Sequence, residues 1–272
     1  KAQQKRKNKA APWRDDEGHG THVAGIAAAI DNDQGIVGIA PGARIWAVKV
    51  LDSTGKGTIS DVICGLDWVV ANKDIIDVAN LSLSTTGEEG TCQAPAFHRA
   101  ICAAVDAGIP VVVAAGNQKQ DVAGDAEHEG RIPARYDEVI TVSSLADSDG
   151  SSGGNGPRPC YTDKDDKFSN FSSFGADVDI VAPGECIVSL RHTKTNRLAT
   201  QSGTSSSAPF VSGAVALHVA LQLAANGVRP TPAETKNWLL TEGSRSQSED
   251  GLTGDPDGIP EPVLWLDVLG SR

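Results

Sequence analysis

Five short, nearly continuous apolar runs, each separated from the next by a turn or a helix-patterned segment, predict an α/β fold. Its sheet should be mostly parallel and covered by helices on both faces, because such strands are buried on two sides and do not alternate. Length and composition agree: 272 residues with 39% apolar and 22% charged side chains suit one large domain with a full core.

In chain order, "GHGTHVAGIAAAI" (18–30) reads as a helix whose small residues allow close packing. "RIWAVKVL" (44–51) reads as a buried strand and "SDVICGLDWVVAN" (60–72) as a helix capped by Ser60. "DVANLSLS" (77–84) is a strand, "APAFHRAICAAVDAG" (94–108) a helix, and "IPVVVAAGN" (109–117) the most apolar strand. Further strands are expected at 138–144 and 177–184, then helices at 205–225 and 231–243. The Gly/Ser-rich stretch 150–156 reads as a surface excursion, since strands continue on both sides of it.

A formal charge of −11 and a pI near 4.9 argue against a nucleic-acid partner. Residues 1–9 are basic and read as a solvated arm, so the chain divides into an arm (1–16) and one domain (17–272). No apolar run of membrane length and no signal-peptide pattern is seen, so no membrane partner is expected. Methionine is absent, which reads as a processed or truncated product. Cys92 with Cys102, and Cys160 with Cys186, bracket short segments; they form disulfides in an oxidising compartment or remain buried thiols, with Cys64 left over.

Two serine motifs compete as the mounting of a nucleophile. Gly150-Ser151-Ser152-Gly153-Gly154 matches G-x-S-x-G but lacks the strand before and the helix after that such an elbow requires. Gly203-Thr204-Ser205-Ser206-Ser207 instead leads into a helix, where a hydroxyl would meet free N–H groups and the positive end of the dipole. Helix capping explains such hydroxyls equally well when they stand alone. They do not stand alone: His19 precedes a helix and Asn117 ends the most apolar strand, which completes a base, a nucleophile and an amide donor for acyl transfer.

Three segments in the same chain order, His19-Gly20-Thr21-His22-Val23-Ala24-Gly25, Ala115-Gly116-Asn117 and Gly203-Thr204-Ser205-Ser206-Ser207-Ala208-Pro209, resemble the motifs of subtilisin-like serine proteases. The resemblance covers about residues 17–245 and implies a three-layer subtilisin-like fold. It implies a secreted, monomeric endopeptidase with Ser205 as nucleophile, His19 as general base and Asn117 in the oxyanion hole, while His22 is a structural neighbour. Ser206 stands where the family usually has Met. The resemblance also implies that substrate binds as an extended strand between Gly55-Lys56-Gly57 and Ser82-Leu83-Ser84, with Ser84 where Gly is usual. Ala114, Ala115 and Gly116 would wall the pocket for the residue before the scissile bond. Arg131, at the end of a charged loop (118–132), could reach that pocket and favour acidic residues, although a solvated loop arginine is the simpler reading. A propeptide partner is compatible with the resemblance.

Calcium is the cofactor implied. One loop would use the Asn32 side chain with carbonyls of Ile30, Gln34 and Ile36; a second, weaker site would use Asp179 with carbonyls of Asp137 and Val139. Asp163, Asp165 and Asp166 read as solvated surface.

The triad carboxylate is missing from this pattern. In the family it precedes the histidine on a core strand, and no apolar strand ending in Asp-Ser/Thr-Gly precedes His19 here. Asp15 and Asp16 lie too near His19 in a polar stretch. The chain is therefore expected either to lack its first core strand, and with it nearly all activity, or to be a catalytically dead peptide-binding module.

Overall fold

Val111-Val112-Val113-Ala114 illustrates how the core is organised: all four side chains are buried, and alternate ones enter different clusters. In this computed structural model, which describes residues 14–158, 163–193 and 198–266, these residues form a central strand of a three-layer sandwich.

The helices are α1 (His19–Ala28), α2 (Ile59–Ala71), α3 (Ala96–Asp106), α4 (Thr204–Asn226), α5 (Pro232–Thr241) and the short α6 (Gln247–Asp250). The main sheet contains β1 (Ala79–Leu81), β3 (Val111–Ala114), β5 (Ile140–Ala146), β7 (Ile180–Pro183), β11 (Val263–Leu264) and β10 (Ser244–Arg245), hydrogen-bonded in that order. Pairing is parallel from β1 to β11 and antiparallel between β11 and β10. Strand β6 (Lys167–Phe168) adds to β5, while β2 (Thr85–Thr86) pairs with β4 (Arg131–Ile132), and β8 (Ile187–Leu190) with β9 (Leu198–Gln201). Val111 and Val113 pack with Leu66 of α2 and Ile101 of α3. Val112 and Ala114 pack with Val211 and Val215 of α4 and Leu239 of α5.

Most expected elements are present, with shorter strands. Three expectations are corrected. The cap of α2 is Thr58, whose hydroxyl accepts from the Asp61 N–H while the Asp61 carboxylate accepts from the Thr58 N–H. Residues 44–51 form no strand: Ile45, Trp46 and Val48 are 52%, 46% and 38% exposed. Strand β1 is an edge of the sheet, and a cleft of about 1870 Å³ lies between it and this segment, so the run has no ladder to join. Third, Asp163, Asp165 and Asp166 are buried, not solvated. Asp165 accepts from Ser148 and the Gly156 N–H, and Asp166 from the Gly154 N–H, so these two carboxylates supply acceptors to the backbone of the glycine-rich loop.

Helix α4 is, contrary to the sequence expectation, long and apolar enough to cross a membrane by length and composition. Half of that window is buried in the fold, and contact with the sheet accounts for its apolar character. Cys92 and Cys102 form a disulfide, and Cys64 is a free, exposed thiol. Cys186 is also disulfide-bonded; its expected partner Cys160, like the basic residues 1–9, lies outside the described residues.

Candidate active site

The Gly-Thr-Ser turn owes its shape to Gly203, whose φ of 151° disfavours side chains and whose Cβ would sit 3.1 Å from Asn117 Nδ2. Thr204 opens α4 and is completely buried. Its N–H (2.9 Å) and its hydroxyl (3.0 Å) both donate to Asn117 Oδ1, while the hydroxyl accepts from the Gly116 N–H at 3.0 Å. This latch holds the carbonyl oxygen of the Asn117 amide and leaves its NH₂ on an exposed residue at the strand end. Ser205 is the second helical residue, so its own N–H has no intrahelical acceptor.

A second chain of bonds fixes the Ser205 turn against β1. Ser212 donates to Asn80 Oδ1 (2.9 Å), Asn80 Nδ2 donates to Ser82 (3.0 Å), and Ser82 donates to the Ser205 carbonyl at 2.8 Å. Ser202 accepts from the Cys186 N–H, and Ser206 and Ser207 are buried, so the neighbouring serines serve turn and packing.

His19 is the first residue of α1, which packs on α4. The start of α1 is capped by Asp15, whose carboxylate accepts from the N–H groups of Glu17, Gly18 and Thr21 and from the Thr21 hydroxyl. Burial pushes the Asp15 carboxyl up, but these bonds outweigh it and bring it down to about 2. Its acceptor capacity is thus used on the backbone and on the Thr21 hydroxyl. Among the described residues, no side chain is hydrogen-bonded to the His19 ring. Burial, only partly opposed by Glu17 and Asp15, lowers the His19 pKa, so the imidazole is neutral at pH 7. His22 is fully buried, its Nε2 lies 3.1 Å from the Ile187 carbonyl, and it anchors α1 to β8.

The two expected substrate edges, Gly55-Lys56-Gly57 and Ser82-Leu83-Ser84, line the same cleft as His19. The first is an exposed turn closed by Asp52, which bonds the N–H groups of Thr54 and Lys56. Ala114, Ala115 and Gly116 are buried at the carboxyl end of β3. Arg131, missed as a buried group by its position in a charged loop, is only 8% exposed and donates to Ser84 Oγ at 2.9 Å. The solvated reading of Arg131 is therefore corrected; pairing of β4 with β2 draws its side chain inward.

The expected metal sites fare differently. The oxygens of Asp137, Val139 and Asp179 do converge on a cation, but it is the Lys236 ammonium, at 3.3, 2.8 and 2.8 Å. A tethered charge takes the place expected for a metal ion, which corrects that assignment. Ile30, Asn32, Gln34 and Ile36 lie in a largely exposed loop where Asn32 Oδ1 accepts from the Gln34 N–H. One amide and three carbonyls are oxygen-only, as calcium prefers, yet fall short of the six to eight oxygens it takes.

A model of the "Subtilase family" matches residues 1–254. Subtilisin DY of Bacillus licheniformis is 37% identical over 205 residues, covering 75% of this chain and 64% of that protein. Subtilisin E of Bacillus subtilis is 37% identical over 206 residues, covering 76% and 46% respectively. The chain thus spans about half to two thirds of the length of these relatives. The crystal structure of a cold-adapted subtilisin-like serine proteinase superposes with a TM-score of 0.70 at 31% identity, covering 93% of this chain and 76% of that one. The latch beside Ser205, the sheet order and these likenesses agree, and the chain belongs to the subtilase family.

Proposed function

We propose that this chain carries the nucleophile half of a serine endopeptidase site. The observation that carries the reading is the Thr204 latch, which orients the Asn117 amide beside the first turn of α4. Ser205 Oγ attacks the peptide carbonyl while neutral His19 accepts its proton. The developing oxyanion is met by Asn117 Nδ2 and the Ser205 N–H, with the dipole of α4 adding to both. His19 then protonates the departing amine, and water releases the acyl group by the reverse sequence. An extended peptide fits the cleft rim along Ser82–Ser84. The Cys92–Cys102 disulfide supports an extracellular, oxidising setting.

The carboxylate that would orient His19 is best placed on a strand seated in the cleft between β1 and residues 44–51. The one-sided pairing of β1 and the exposed Ile45, Trp46 and Val48 support that position. Without it, turnover is expected about 10⁴-fold below that of a complete triad. The bare His19 ring equally favours a second reading, a peptide-binding module without catalysis. Any calcium bound at the 30–36 loop would be structural, and no step depends on it.

Fluorophosphonate labelling tests the site. The native chain is expected to label slowly at one serine, and Ser205→Ala to abolish labelling. Equal labelling of both forms disproves the assignment; failure of a form completed with the carboxylate strand to label leaves the binding module as the reading.

A further inference from the structure

Arg131 is a cation in an unusual position. The residue is only 8% exposed, and the one hydrogen bond of its guanidinium among the described residues is to Ser84; Nε is buried without a hydrogen-bond partner. Among the described residues no carboxylate pairs with it, whereas Arg135, Arg229 and Arg245 each pair with one. Burial lowers its pKa and no neighbouring charge offsets this, yet a guanidinium remains charged at neutral pH. A buried charge without a counterion is strongly destabilising, so such a group is retained where a ligand supplies the partner.

The space in front of it is specific. Gly116, with φ of 108°, lacks the Cβ that would sit 2.8 Å from Gln118 Oε1, 3.4 Å from Arg131 Nε and 3.4 Å from Ser173 Oγ. Ser173 is fully buried and its hydroxyl is also without a partner. Two unsatisfied donors therefore lie against the Gly116 backbone near Ser84, beside the end of the exposed Gln118 side chain, whose amide oxygen accepts from the Asn117 N–H. Ser84 and Gly116 are the residues proposed above for the substrate edge and the pocket wall.

We propose that Arg131 and Ser173 form a carboxylate-binding pocket that selects an acidic side chain at the residue whose carbonyl Ser205 attacks. This rests on the reading of the cleft as a peptide site. A carboxylate that displaces the Gln118 amide oxygen accepts from Arg131 Nε–H and from the Ser173 hydroxyl, satisfying both orphaned donors with charge-assisted bonds. Arg131 acts on specificity alone and takes no part in proton transfer. The chain's net charge of −11 opposes acidic ligands only at long range, where salt screens it; the buried contact is screened far less.

Binding separates this inference from catalysis. Three labelled hexapeptide amides, Ala-Ala-Pro-Xaa-Ala-Ala with Xaa as Glu, Gln or Leu, are titrated into the native chain at 0.15 M salt by fluorescence anisotropy. The Glu peptide is expected to bind at least about tenfold tighter than the isosteric Gln peptide, in line with a desolvated charge-assisted pair. Arg131→Gln abolishes the difference and Arg131→Lys keeps part of it. Equal affinity for Glu and Gln peptides, or no binding of either, overturns the proposal, and this comparison uses only the native chain should the variants fail to fold. Fluorophosphonate labelling at Ser205 reports independently on the catalytic reading: labelling without a Glu preference removes only the acidic pocket, and a Glu preference without labelling removes only the catalysis.

Discussion

The two flanks of the sheet differ in completeness. Around β3, β5 and β7 all sheet residues but Pro183 are buried, and Ile180, Val112 and Val142 are 0% exposed. Beyond β1 the layers part: apolar residues of the 44–51 segment face solvent across a wide cleft. The serine and the asparagine are mounted from the finished side, while the histidine stands on the rim of the open one. Half of the proposed acyl-transfer site is therefore held to hydrogen-bond precision by a core that is locally complete, whereas in that proposal the orientation of the base depends on the flank that is not.

The strongest way to break this comparison is to close the open flank. A form extended by an apolar strand ending in Asp-Ser-Gly or Asp-Thr-Gly is expected to gain about 10⁴-fold in kcat on a peptide amide. Unchanged turnover, with Ile45 and Trp46 now shielded from a fluorescence quencher, would show that the flank does not govern His19.

On the finished side, Asn117→Ala is expected to slow fluorophosphonate labelling of the completed form by about 10²–10³-fold without shifting its melting temperature by more than a few degrees. A loss confined to stability would instead make Asn117 a structural anchor for Thr204.

Truncation of core and flank gives the same contrast in stability. Ile180→Ala should cost about 3 kcal/mol in denaturant unfolding, because it leaves a cavity in a dry layer. Ile45→Ala, at a 52% exposed position, should stay within about 0.5 kcal/mol. Similar losses at both would mean the cleft is closed in solution.

The smallest effect concerns the cap of α1. Asp15 titrates at about 2 when folded against 3.8 when unfolded. A depressed folded value contributes stability above the unfolded pKa, and that contribution is lost as pH falls from about 4 through 2. Solvent screening limits it to about 1 kcal/mol at this partly exposed site. Asp15→Asn should flatten the decline in unfolding free energy over that window; an unaltered slope would show that α1 is not held by this carboxylate.

Much of the candidate site was legible along the chain because motifs such as His19-Gly20-Thr21 and Gly203-Thr204-Ser205 pair side-chain chemistry with local backbone needs. The role of Gly203, by contrast, follows from its positive φ. The short strands β10 and β11, and the hairpin of β8 and β9, carried too little periodic signal to stand out in sequence.

What the sequence determined by itself was therefore the α/β class, the order of the helices and the serine proposed as nucleophile, since these depend on apolar periodicity and contiguous motifs. Tertiary structure alone decided the rest. It left the apolar run 44–51 unpaired, because a strand needs a lateral partner as well as a suitable sequence. It set Lys236 among the oxygens of Asp137, Val139 and Asp179, a charge from a helix distant in the chain. It also buried Arg131 beside Ser84 and Gly116, because desolvation of a charge depends on what packs around it, which no local pattern in a polar loop can specify.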